Sequence, residues 1–144
     1  MTRAIILAAG MGTRLRPLTN DRPKCLVELG GQSLLDHQVT VLKAAGISKI
    51  HVVGGYMAEK LTREDIIIHI NEQFEYTNMV HTLFCAQEAL SSGEDIVVSY
   101  GDIVYEPKVL RALLECQSPV CVVSDRDWQG YWRARFPNPL DDAE

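Results

Sequence analysis

The sequence predicts an α/β fold built on a mostly parallel sheet. Short β-branched and apolar runs alternate with amphipathic helical stretches, and several strand-like runs end on glycine. Residues 4–7 read as a strand covered on both faces, because successive positions are apolar. Residues 33–45 predict a helix: Ser33 caps it with Asp36 three positions on, Leu35, Val39 and Leu42 recur at helical spacing, and Gly46 closes it. A second strand is expected over 49–53, stopped by Gly54 and Gly55. A short helix over 57–63 and a third strand over 66–70 follow. Residues 78–90 predict a longer amphipathic helix with Asn78 as cap, and 95–100 a fourth strand running into Gly101 and Asp102. Residues 107–116 open with Pro107 at a helix N-terminus, and 120–123 predict a fifth strand.

Composition narrows the class. The chain has 144 residues, 47% hydrophobic and 23% charged, which suits one soluble domain over residues 1–144. No apolar run approaches the roughly 20 residues of a membrane span, and no signal-peptide core follows the first Met, so the expected location is cytoplasmic, with no membrane partner. The net charge of −5 argues against a nucleic-acid partner held by a broad basic face. The four cysteines, Cys25, Cys85, Cys116 and Cys121, show no CxxC spacing; they read as buried free thiols rather than a zinc site or a disulfide framework. His37, His51, His69 and His81 lack metal-ligand spacing and read as surface or hydrogen-bonded residues. Asp141, Asp142 and Glu144 read as a solvated tail.

In an open parallel sheet, ligands bind beyond the carboxyl ends of the strands. Two stretches fall there: the loop from Ala8 to Lys24, and Gly101 with Asp102. The loop lacks the third glycine of a dinucleotide fingerprint, since Leu15 stands in its place, and it lacks a Walker lysine. It does contain small residues, Ala8, Ala9, Gly10 and Gly12, bracketed by the cations Arg14 and Lys24. Backbone groups exposed by small residues suit a base edge, and the cations suit a phosphate chain. Gly10 and Gly12 also suit a plain tight turn, and Asp102 an ordinary turn residue.

The stretch "LAAGMGTRLRPLTNDRPKCLVELGGQSLL" resembles the N-terminal signature LAAGxGTRLxPLTxxxPKxLxxxxGxxLL of the nucleotidyltransferases that activate sugar phosphates and related phosphorylated small molecules. "VVGGYMAEKL" and "DIVVSYGDIVY" are similar to that family's later motifs. The resemblance implies a Rossmann-like three-layer sandwich of the nucleotide-diphospho-sugar transferase type. It implies that Ala8, Ala9 and Gly10 line base and ribose, that Arg14 binds the triphosphate, and that Leu7, Gly12 and Thr13 belong to the nucleotide-binding set. Lys24 then contacts the transferred phosphate, Asp102 holds Mg²⁺, and Arg14 and Lys24 do the catalytic work. The reaction joins a nucleoside triphosphate to a phosphorylated acceptor and releases pyrophosphate. The acceptor brings an ionised oxygen, so no protein base is needed.

"YTNMVHTLFCAQEAL" and "SDRDWQGYWRARFPNPLDDAE" resemble the branch of that family which makes CDP-choline and similar compounds from CTP. This implies that Asn78 faces the nucleotide or acceptor, and that Trp128, Tyr131 and Trp132 could surround a quaternary ammonium, although aromatics so placed also serve packing. Alternatives are a sugar-1-phosphate nucleotidylyltransferase using UTP, dTTP or GTP, and a nucleotide-binding fragment without catalysis. Family members continue past the point where this sequence stops. The acceptor-binding part and a second acidic metal ligand are therefore expected to be incomplete here, and unpaired sheet edges would favour a homo-oligomer.

Overall fold

β1 (Thr2–Ala8) is one of the two inner strands of the main sheet. The computed structural model describes residues 1–141, so Asp142 and Glu144 of the expected acidic tail lie outside the described residues. The chain divides into two compact units, Met1–Arg111 and a second from Ala112 onward.

In the first unit, a two-residue pair of antiparallel strands, β2 (Glu28–Leu29) and β3 (Gln32–Ser33), leads into helix α1 (Leu34–Ala44). Strands β4 (Ile50–Gly54) and β5 (Ile67–Ile70) follow, then helices α2 (Met79–Phe84) and α3 (Gln87–Leu90), strand β6 (Asp95–Tyr100) and the start of helix α4 (Pro107–Leu114), within which the first unit ends. The main sheet has the order β5-β4-β1-β6, and all three pairings are parallel. The expected α/β class and parallel sheet are what the chain adopts.

Strand alternation assigns the layers. Ile5 lies beside His51 and Leu7 beside Val53, on one face of the sheet. Ile5 and Val53 pack there with Ala86 and Ala89, so α2 and α3 cover that face. Ile6 lies beside Val52 and Ser99 on the other face. Ser99 reaches Gln38 of α1, so α1 covers it, and β1 is apolar at successive positions because both its faces are buried.

Local signals explain most element ends. Ser33 caps α1 through a complete capping box: its Oγ accepts from the Asp36 amide at 3.0 Å, and its own amide donates to the Asp36 carboxylate. Gly46, at φ +84°, ends the helix. Asn78 caps α2 by accepting from the amides of Val80 and His81.

Three elements differ from expectation. The helix expected over 57–63 is a single 3₁₀ turn, Ala58–Lys60. Ala58 and Leu61 close onto Gly54, where an added Cβ would meet them at 3.0 and 2.7 Å, and this packing folds the segment back against the strand end. The helix expected over 78–90 breaks after Phe84. Ala86 takes non-helical angles while Ala86 and Ala89 press onto Ile5 and Val53, and the bonding tightens, with the Ala86 amide donating to Leu83.

The fifth strand over 120–123 does not form. Val120 and Val122 are exposed and the segment has no ladder partner among the described residues. Without a partner strand, an extended run cannot satisfy its backbone groups within a sheet.

The second unit contains helix α5 (Trp128–Arg133) and a 3₁₀ turn, Pro139–Asp141. Cys116 and Cys121 are joined by a disulfide with Cα atoms 6.5 Å apart. That corrects the reading of four free thiols: only Cys25 and Cys85 are free, and only Cys25 is fully buried. Their five-residue separation matches no framework spacing, so the pattern did not announce the bond. Among the described residues no helix is long and apolar enough to cross a membrane.

One histidine pair departs from the simple histidine reading. His51 on β4 is fully buried and shares a hydrogen bond of 2.9 Å between its Nδ1 and Nε2 of His69 on β5, while its own Nε2 has no partner. Burial holds the His51 pKa below the usual range; His69, Arg3 and Lys49 add to this, and Glu88 opposes it. The unfolded chain therefore takes up this proton at a higher pH than the folded chain. Stability from this site is present above the ordinary histidine value and is lost as pH falls through it. The carboxylates of Asp21, Asp65 and Glu94 are held below the ordinary carboxylate range by Arg22, by Arg63 and Lys43, and by Arg3, so they leave that window to the histidine. The midpoint of thermal unfolding is expected to fall between about pH 7.5 and about pH 5.5. A midpoint that is flat or rises over that range would contradict it.

Candidate nucleotide-binding site

Leu7 lies beside Tyr100 and Ala8 beside Gly54, so β4, β1 and β6 end at one level. The residues that follow each strand form one rim: Ala9 and Gly10, Gly55 and Tyr56, Gly101 and Asp102. Backbone bonds tie these ends together. The Gly101 amide donates to Leu7 O at 2.7 Å, and the Tyr56 amide donates to Ala9 O at 3.1 Å. At Gly55 an added Cβ would lie 2.7 Å from Ala9 O and 2.7 Å from Phe74 Cβ, so only a residue without a side chain allows this approach. Leu7 is half-buried, Ala8 and Ala9 are buried, and Gly10 is exposed, which brings the backbone to the surface at Gly10.

The rest of the loop is held against this rim. Gly12 has φ +60° and precedes a 3₁₀ turn, Thr13–Leu15, that carries Arg14. Its missing Cβ would meet Lys24 Cβ at 3.0 Å and Thr19 Cγ2 at 3.1 Å. Gly12 thus lets the outgoing and returning arms of the loop touch. Thr19, fully buried, donates its hydroxyl to Gly12 O at 2.8 Å and accepts from the Tyr56 hydroxyl at 3.0 Å through its own carbonyl. Thr13 and Arg14 are exposed beside this anchor.

Lys24 sits at the start of a second 3₁₀ turn, Lys24–Leu26. Its Nζ donates to the Asp102 carboxylate, which pairs two residues 78 positions apart in sequence. The structure therefore brings together the cation and carboxylate that the sequence marked separately. The neighbouring Cys25 is no nucleophile: burial pushes its thiol up to about 12, so it stays protonated near neutral pH. Among the described residues no three His, Cys, Asp or Glu side chains gather as a metal cluster.

Asn78 lies at the N-terminus of α2, with its Oδ1 engaged by the helix cap. The amide nitrogen is then the part of that side chain suited to a ligand. Trp128, Tyr131 and Trp132 belong to the second unit. There the Arg135 guanidinium stands 4.9 Å from the Trp132 ring and 6.0 Å from the Tyr131 ring, so these faces receive a cation of the chain itself.

Two positions that sequence reasoning passed over shape the site. Thr19 gave only a motif match, and Gln38 looked like one residue of an amphipathic helix. The available signal was a polar side chain on the apolar stripe of Leu35, Val39 and Leu42. Gln38 is in fact buried with them.

Residues 4–138 match the MobA-like NTP transferase domain family. The chain belongs to that family. It is 43% identical to the CTP:phosphoglutamine cytidylyltransferase of Campylobacter jejuni over 150 residues, covering 98% of this chain and 59% of the relative. Among solved structures it is similar to the CTP:phosphocholine cytidylyltransferase of Streptococcus pneumoniae, with TM-score 0.64 and 34% identity over 70% of this chain and 45% of that one. It is also similar to the inositol-1-phosphate CTP transferase from T. maritima, with TM-score 0.67 and 28% identity over 82% and 50%. The chain thus spans between 45% and 59% of the length of these three proteins.

Replacing Gly55 by alanine forces a methyl group into space held by a carbonyl oxygen and the Phe74 stem. The expected loss is about 1–3 kcal/mol. Urea unfolding measures it, and an unchanged midpoint and slope would show that the rim can relax.

Proposed function

We propose that the chain is the nucleotide-binding part of a cytidylyltransferase, which transfers CMP from CTP to a phosphorylated small molecule and releases pyrophosphate. The observation that carries this reading is the meeting of Lys24 and Asp102 at the rim where β1 and β6 end. The similarity to cytidylyltransferases favours CTP, and the acceptors of those relatives, phosphoglutamine and phosphocholine, support a phosphorylated amine or amide as the acceptor class.

The backbone of Leu7, Ala8, Ala9 and Gly10 receives base and ribose, where small side chains leave peptide groups accessible. Gly12, Thr13 and Arg14 meet the triphosphate, with the Arg14 guanidinium offering a planar set of donors to phosphate oxygens. Lys24 supplies a compact charge to the reacting phosphate, and Asn78 reaches the nucleotide or acceptor from its helix cap. The acceptor's own phosphate oxygen is the nucleophile, so catalysis is positioning and charge neutralisation. Trp128, Tyr131 and Trp132 are proposed for a cationic acceptor; a ligand there would displace the Arg135 guanidinium.

The donor set at Asp102 fits Mg²⁺. It is one hard, half-exposed carboxylate, and Mg²⁺ takes one or two carboxylates together with substrate phosphates. Asp102 would hold the ion, which when bound offsets charge on the phosphates. Lys24, released from Asp102, is then available to a phosphate oxygen.

Pyrophosphate release tests the reading, with CTP compared against UTP, dTTP and GTP, and phosphocholine and phosphoglutamine against sugar 1-phosphates. Faster release with CTP and a phosphorylated amine or amide is expected. A preference for another triphosphate with sugar 1-phosphates would favour a sugar nucleotidylyltransferase. Binding of CTP without turnover of any pair would leave a binding fragment.

Two variants separate the roles. Lys24→Ala is expected to lower kcat by about 100-fold or more with a small change in CTP affinity, because its charge acts on the reacting group. Equal losses in kcat and affinity would contradict this. Asp102→Asn is expected to abolish stimulation by Mg²⁺, and a variant still fully stimulated would place the ion elsewhere.

A further inference from the structure

Gln38 is 1% exposed and uses three hydrogen bonds, all to the segment around Asp102. Its Nε2 donates to Tyr100 O at 2.9 Å and to Ile103 O at 2.9 Å, and its Oε1 accepts from the Ser99 hydroxyl at 2.8 Å. Two carbonyl acceptors on one side and a hydroxyl on the other leave a single sensible orientation for the amide. The two carbonyls lie on either side of Gly101 and Asp102. The Gly101 amide, between them, is held by Leu7 O at 2.7 Å. The turn that carries Asp102 is thus fixed from α1 and from β1 at once.

We propose that Gln38 is a positioning residue for the Asp102 carboxylate, aligning it for the ion that accompanies the nucleotide. This rests on the functional reading above. Gln38 touches no substrate; it acts through the peptide units next to Asp102. An apolar residue of similar volume would fill the same space in the core, yet it would leave two inward carbonyls without a donor. Those peptides would then rotate toward other donors and carry Asp102 with them.

Gln38→Leu in the full chain tests the inference, with CTP binding measured by calorimetry across a Mg²⁺ titration and amide hydrogen exchange measured in parallel. The Mg²⁺ concentration for half-maximal enhancement of CTP binding is expected to rise about tenfold or more, as for other residues that orient a ligand group from behind. CTP binding without Mg²⁺ should stay within about twofold, because the Gly10 and Arg14 side of the site is untouched. The Gly101 amide should lose protection while the Val97 amide keeps it.

An unchanged Mg²⁺ requirement in a folded variant overturns the inference. So does an equal loss of binding with and without Mg²⁺, which a merely structural role would produce. If Gln38→Leu does not fold, Ser99→Ala decides by the same titration, with a smaller rise expected and no rise overturning the inference. Absence of CTP binding in the wild-type chain would instead defeat the functional reading. The exchange of Gly101 in the variant would still decide whether Gln38 anchors the turn.

Discussion

Everything at the candidate site depends on the parallel pairing of β1 with β4 and β6. Parallel strands with matched register end together, and here Leu7, Gly54 and Tyr100 bring three chain reversals to one rim. The bonds from Gly101 to Leu7 and from Tyr56 to Ala9 extend the sheet's hydrogen bonding one step past its last residues. A loop that begins on such an edge starts from a fixed point. The close approach of Gly55 to Ala9 and the buried Thr19 then fix its return. Loops of this kind can hold charged side chains accurately because the elements beneath them are rigid.

The interior shows the same economy in polar groups. Gln38, Asn71, Thr19 and His51 are the most buried polar side chains, and the first three have their partners in place. Asn71 donates to Thr77 and Thr82 and accepts from the Gln73 amide, which shapes the turn leading to Asn78. These residues do not add to the apolar core. They set where loops leave it, and a buried polar group that keeps its partners favours one arrangement of those loops over its neighbours.

The elements readable from sequence are those whose cause is local. The capping box of Ser33 and Asp36, the stop at Gly46, the Asn78 cap and the apolar run of β1 each announce themselves within a few residues. The departures have their causes in tertiary packing, which local pattern does not carry. The break after Phe84 follows from alanines packing on Ile5 and Val53, and the short turn at Ala58 from the strand end at Gly54. The run at 120–123 has strand composition but finds no strand to join among the described residues, and composition alone does not supply one. At the site, Arg14, Lys24 and Asp102 were marked by motif, whereas Gln38 was hidden by its place on a helix stripe. Its role depends on carbonyls more than 60 positions away.

The Lys24 and Asp102 pair has a consequence for what the site admits. With no ligand, cation and carboxylate cancel one another, so the rim presents a dipole rather than a net positive charge at that point. An anion arriving alone can take Lys24 only by giving Asp102 over to water, at the small cost of an exposed ion pair. An anion arriving with its own cation swaps partners on both sides at once and strands no charge. On the proposed reading, such a site would favour an anion that brings its own cation over the bare anion.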